Sequence, residues 1–99
     1  MVHIIWEFKV ALGKGREFER HYGSAGTWAQ FFRQGAGFQQ TLLLRAPETG
    51  DRYLTVDVWD KLASFEAFKE KFAARYAEID RQMEALTEEE RKIGIFEQV

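Results

Sequence analysis

The hydrophobic period of this chain changes several times along its length, and the order of those changes restricts the fold more than any other feature. Val2, Ile4, Trp6, Phe8 and Val10 alternate with His3, Glu7 and Lys9, a period of two broken only by Ile5, as expected of a strand with one covered face. Gly13 and Gly15 bracket Lys14 in a turn, and Arg16 to Tyr22 then switches to helical spacing, with Phe18 and Tyr22 four apart. Gly23 and Gly26 interrupt this helix. Trp28, Phe31 and Phe32 resume it until Gly35 and Gly37 stop it, so the first helix is expected to be broken or bent. Period two returns in Phe38 to Arg45 and again in Tyr53 to Trp59, on either side of a turn containing Pro47, Gly50 and Asp51. Phe65, Phe68, Phe72, Tyr76, Ile79, Met83 and Leu86 recur at three or four, predicting one continuous helix of about six turns. Ser64 is placed as its N-cap and Glu66 in its first turn. Thr87 with Glu90 has the form of a capping box, predicting a short extra turn. Lys92 to Val99 then reads as a final strand.

Strand, helix, strand, strand, helix, strand is the split βαββαβ order of a ferredoxin-like α+β fold, here a single domain over residues 1–99 with a four-stranded antiparallel sheet. On the second strand Phe38, Gln40, Leu42 and Leu44 fall on one face, with Gln39, Thr41, Leu43 and Arg45 on the other. Two helices cover one face of such a sheet. Leu43, Tyr53 and Trp59 are assigned to the other, a face too apolar to stay wet, which predicts a two-fold homodimer packed sheet against sheet. At 99 residues with 45% hydrophobic content the chain holds one core, and with no cysteine it has no disulfide, thiolate metal site or cysteine nucleophile. Fourteen basic against sixteen acidic residues leave no cationic surplus for a nucleic-acid backbone. No apolar run approaches the roughly 20 residues of a membrane span, and the first residues lack a basic, apolar leader, so no membrane partner and a cytoplasmic location are expected.

Aromatic residues make up 15% of the chain, a surplus that points to an interface or to a cavity lined with rings. Polar candidates are few: there is no Asn, and the histidines are His3 and His21. His21, beside Arg20, is either a base with a pKa near working pH or a solvent-facing helix residue. His3 is assigned to an interface or sheet edge. No spacing of His or carboxylates suits a metal, and Glu88, Glu89 and Glu90 read as a helix N-terminus. Trp6, Trp28 and Trp59 suit either a core or a stacking pocket. Asp57 sits inside a strand among apolar residues, where a carboxylate needs a partner or a raised pKa. Arg45 on the neighbouring strand is the expected partner.

The segment Tyr53-Leu54-Thr55-Val56-Asp57-Val58-Trp59, followed by Phe65-Glu66-Ala67-Phe68, resembles the antibiotic biosynthesis monooxygenase family of dimeric α/β-barrel proteins. The similarity extends through Trp28, Phe31, Phe32 and Gly37-Phe38, and through Leu86-Thr87-Glu88-Glu89-Glu90 before Ile93-Gly94-Ile95-Phe96. The resemblance implies that fold, and the activities it implies are those of cofactor-independent oxygenases acting on polycyclic phenols, haem-degrading monooxygenases, and small isomerases and decarboxylases. Haem-degrading members use an Asn on the first strand, with a Trp and an axial His on the second long helix. The matching helix positions here are Phe68 and Glu78, which lack the indole N–H and the imidazole nitrogen. The preferred reading is a cofactor-independent monooxygenase acting on an aromatic or polyketide-like molecule, without cofactor or metal. The alternative is a non-catalytic small-molecule-binding or stress-related dimeric barrel protein. The pocket is expected between sheet and helices, with Trp28, Phe31 and Phe32 as a wall movable about the flanking glycines. Phe68 and Phe72 stand opposite, and Tyr76 or His21 handles the proton.

Overall fold

The computed structural model describes residues 1–99. Its elements are β1 (Val2–Val10), α1 (Gly15–Tyr22), α2 (Thr27–Phe32), β2 (Phe38–Arg45), β3 (Arg52–Trp59), α3 (Leu62–Lys71), α4 (Ala73–Met83), a 3₁₀ turn (Glu84–Leu86) and β4 (Thr87–Glu97). The strands form one antiparallel sheet in the order β2-β3-β1-β4, the ferredoxin-like α+β arrangement expected from the sequence. No helix is long and apolar enough to cross a membrane.

The register decides what each face carries. Val2 pairs with Trp59, Ile4 with Asp57, Trp6 with Thr55 and Phe8 with Tyr53, and directly paired residues share a face. The rings of Phe8 and Tyr53 meet Phe18 of α1 at 5.4 and 4.9 Å, so this is the face the helices cover. Tyr53 and Trp59, assigned from sequence to the uncovered face with Leu43, therefore belong to the core, and Leu43, paired with Thr55, packs against it. Trp59 has no exposed surface, and four Phe rings, Phe32, Phe38, Phe65 and Phe68, surround it at 5.3–5.8 Å. The outer face of β3 carries Leu54, Val56 and Val58, and the covered face carries the rings of Tyr53 and Trp59 with Thr55 and Asp57 between them. The choice between them followed from which face could offer large rings to the aromatic helices.

The uncovered face is formed instead by Ile5, Val56 and Leu42, paired across three strands, with Leu44 paired to Leu54, and with Val58 and Phe96 each opposite His3. Leu42, Leu44 and Phe96 are exposed. Phe38 does not join them. One extra residue in β2 between Phe38 and Gln40 reverses the alternation, so Phe38 packs edge-to-face against Trp59 while Leu42 and Leu44 face out.

Two further expectations are corrected. The stripe from Phe65 to Leu86 is two helices, broken at Phe72, whose φ of −112° and ψ of 30° leave the helical region. Residues 65–80 contain neither glycine nor proline, so the break is a tertiary effect. Phe31 wedges against Phe68, Phe72 and Tyr76 at 4.8, 6.0 and 6.2 Å. The helix also starts before Ser64, at Leu62, where the Asp60 carboxylate accepts the Lys61 N–H at 2.7 Å. Thr87 to Glu90 is not a helical turn. These residues open β4 and pair with β1, held on the solvent side by Lys9 to Glu88 (3.4 Å) and Arg91 to Glu7 (2.8 Å). A charged edge strand has no apolar period to reveal it.

The glycines around α2 serve close approach. A Cβ on Gly26 would stand 2.5 Å from the Arg20 carbonyl oxygen, and one on Gly35 2.6 Å from the Phe68 ring and 2.8 Å from Trp59. Gly35→Ala is expected to destabilise the protein by about 1–3 kcal/mol, because both rings are buried and neither can yield freely. Urea denaturation checks this, and an unchanged midpoint would show that the rings give way.

Candidate active site

A cavity of about 270 Å³ lies between the sheet and the helices. Its walls are rings: Trp6 and Phe8 of β1, Tyr22 of α1, Trp28 and Phe32 of α2, and Tyr76 of α4. Thr41 of β2 and Thr55 and Asp57 of β3 supply a polar strip on the sheet, and Lys69, Asp80 and Glu90 complete the lining. The last three are exposed and form the rim.

Asp57 is the chemically distinctive group. Strand pairing places it opposite Thr41 on one side and Ile4 on the other, and the Thr41 hydroxyl donates to its Oδ1 at 2.7 Å. No hydrogen bond reaches Oδ2. Arg45, the partner expected from sequence, lies further along β2 and pairs with Glu19 at 3.2 Å. Glu19 also accepts the Tyr53 hydroxyl at 2.5 Å. Asp57 keeps some accessible surface because it opens onto the cavity, yet its carboxyl is enclosed by protein. Burial therefore pushes its pKa up from 3.8 to about 6, with the Thr41 hydrogen bond opposing the shift. A carboxyl with such a pKa exchanges its proton near neutral pH, as a general base must.

Tyr76 stands across the same space. Burial, reinforced by the charges of Asp57, Asp80 and Glu90, raises its phenol from 10.0 to about 12, so it is a hydrogen-bond donor at neutral pH. Burial also raises the Tyr22 phenol. The Trp28 Nε1 is buried and has no hydrogen-bond partner.

Of the residues singled out from sequence, Trp28, Phe32 and Tyr76 line the cavity. Phe31, Phe68 and Phe72 stand behind them and brace the wall, Phe31 touching Trp28 at 6.2 Å and Phe68 touching Phe72 at 4.9 Å. His21 lies outside. Its Nδ1 is 2.7 Å from Thr27 Oγ1 and its Nε2 3.5 Å from the Arg20 guanidinium, contacts that turn the ring toward the α1–α2 junction. Trp6, which the sequence left between core and stacking pocket, lines the cavity, whereas Thr41, Thr55 and the rim charges were not marked as site residues from sequence. A lone carboxylate at the centre of an apolar strand, two residues from Thr55, was the signal available for Asp57. No imidazole lines the cavity, so a haem iron would find no histidine ligand there. No cluster of acids or histidines has metal-site geometry.

The family model described as antibiotic biosynthesis monooxygenase matches residues 1–78. Among similar solved structures, SnoaB, a cofactor-independent oxygenase from Streptomyces nogalater, is 23% identical with a TM-score of 0.79, covering 99% of this chain and 92% of its own. A variant of MhuD with two manganese protoporphyrin IX molecules bound per active site is 24% identical with a TM-score of 0.74, covering 100% and 95%. PA3566 from Pseudomonas aeruginosa is 17% identical with a TM-score of 0.70, covering 99% and 93%. At these identities the likeness establishes the fold. No curated protein sequence matches the chain.

Proposed function

The chain belongs to the antibiotic biosynthesis monooxygenase family, and from that premise we propose that it is a cofactor-independent monooxygenase acting on an aromatic, polyketide-like small molecule. The observation that carries this reading is the Asp57 carboxyl, with one free oxygen and a pKa of about 6, facing a cavity walled by six aromatic rings. A hydroxyanthrone illustrates the chemistry. Its ring methylene is acidic because the carbanion is delocalised into the carbonyl. Asp57 takes one proton, and the carbanion itself passes an electron to oxygen. Recombination forms the C–O bond, and the second C–H bond is broken as the O–O bond cleaves. One oxygen atom stays as the new carbonyl, and the other leaves as water carrying both methylene hydrogens. The protein supplies deprotonation, orientation and exclusion of water. Tyr76, protonated at neutral pH, donates a hydrogen bond to the substrate oxygen on which charge develops.

The experiment is oxygen uptake with a panel of hydroxyanthrones and related phenols. Tyr76→Phe is expected to lower kcat by about tenfold to a hundredfold. Its melting temperature should hold, because the ring packing against Trp28 at 5.1 Å is retained. Tight ligand binding with no oxygen uptake by the wild type would instead identify a binding protein. The apolar outer sheet face supports a homodimer joined through Leu42, Leu44 and Val56, with the cavities on the opposite side of each sheet.

A further inference from the structure

The charges around the cavity are unbalanced. Asp57 lies on its sheet wall and Asp80 and Glu90 on its rim, against the single ammonium of Lys69. Lys69 is itself engaged, 5.3 Å from the Tyr76 ring centroid and 5.4 Å from that of Phe65, an arrangement that directs its charge into the aromatic faces. Beyond the rim the space continues into a cleft that shares Tyr22, Asp80 and Glu90 and adds Glu84, Glu88 and Glu89. Of these only Glu88 is paired, to Lys9. Proximity is felt between the acids: burial and the charges of Asp80 and Glu84 hold the Glu90 carboxyl above its usual range. At the inner end, Asp57 presents its free Oδ2 as an acceptor that a neutral hydroxyl or an ammonium can satisfy and a carboxylate cannot.

We infer that this cavity selects aromatic molecules that are uncharged or cationic and excludes anionic ones, with Asp80 and Glu90 as specificity-determining residues. The inference rests on the proposed use of the cavity as a substrate site and narrows its substrate class. An ester, an amide or an amine-bearing ring system would pass the rim. The same ring system with a free carboxylate would meet like charges at the rim and then the enclosed Asp57 carboxyl, where juxtaposition of like charges is more costly than in water.

The test uses three anthracenes with the same ring position carrying hydroxymethyl, aminomethyl or carboxylate groups, none of them a phenol. Binding is read from quenching of tryptophan fluorescence, since Trp6 and Trp28 line the cavity. The hydroxymethyl and aminomethyl compounds should bind, with the carboxylate at least about tenfold weaker at low salt. The Asp80→Asn, Glu90→Gln double variant should bring the carboxylate to within about threefold of the hydroxymethyl compound. A carboxylate that binds the wild type as tightly as the neutral compound overturns the charge filter while leaving the substrate site intact, as does a double variant that leaves the gap unchanged. If none of the three binds, the substrate-site reading fails, and the filter fails with it.

Discussion

Asp57→Asn is expected to abolish turnover and to make the protein more stable. Asn is nearly isosteric and its amide oxygen can still accept the Thr41 hydroxyl, so the fold has no reason to change. It cannot take a proton, and removal of a positioned general base costs about a hundredfold or more in kcat. The stability change follows from linkage. In the folded protein the Asp57 pKa is about 6, above its ordinary value of 3.8. Between those two values the folded state holds more protons than the unfolded state, so stability falls as pH rises from 3.8 to about 6, and the loss is complete above that. At pH 7 the ionised carboxylate costs up to about 3 kcal/mol. The Asn variant avoids this cost, and its melting temperature at pH 7 should be several degrees higher. Melting scans from pH 4 to 8 should show a decline in the wild type that the variant lacks. The wild-type rate should rise with pH to a plateau above about 6, the value at which Asp57 ionises. A variant that retains turnover, or melts below the wild type at pH 7, would show that Asp57 is a structural carboxylate.

Leu42→Glu with Leu44→Glu should convert a dimer into a stable monomer. Both side chains face away from the helices and are 42% and 51% exposed in the single chain, so the charges can be solvated without disturbing the core. They adjoin Val56 and Leu54, which continue the apolar surface into the centre of the sheet. Two carboxylates from each subunit brought to a two-fold interface would face one another without partners, a costly arrangement in any buried seam. Sedimentation at micromolar concentration should give about twice the 11.6 kDa chain mass for the wild type and a single chain mass for the variant. A monomeric wild type, or a variant that stays dimeric, would exclude this face as the interface.

The strands with a two-residue period, the aromatic helices and their order are written in local sequence, because burial on one face imposes a period that neighbouring residues share. β1, β2, β3 and the α1–α2 interruption were legible for that reason, and so were Trp28, Phe32 and Tyr76 as residues of the space between sheet and helices. Four features were not. The break at Phe72 has no local cause and depends on Phe31 wedged from another helix. The first half of β4 is charged on the side that meets solvent and reads as a helix start. The bulge after Phe38 reverses the faces of β2 without leaving a glycine or proline to mark it. Asp57 could be seen to be out of place but not to face a cavity, because strand register decides whether its neighbour is Arg45 or Thr41.

Sequence by itself determined the element order, the single aromatic core and the family, since each rests on periodicities and segments that are local. Tertiary structure alone decided which face of β3 the helices cover, that Asp57 rather than His21 meets the aromatic cavity, and that Asp80 and Glu90 gather at its rim. Those outcomes depend on pairings between residues far apart in the chain. A one-residue change of register would carry every side chain of a strand to the opposite face and leave the same sequence without the site.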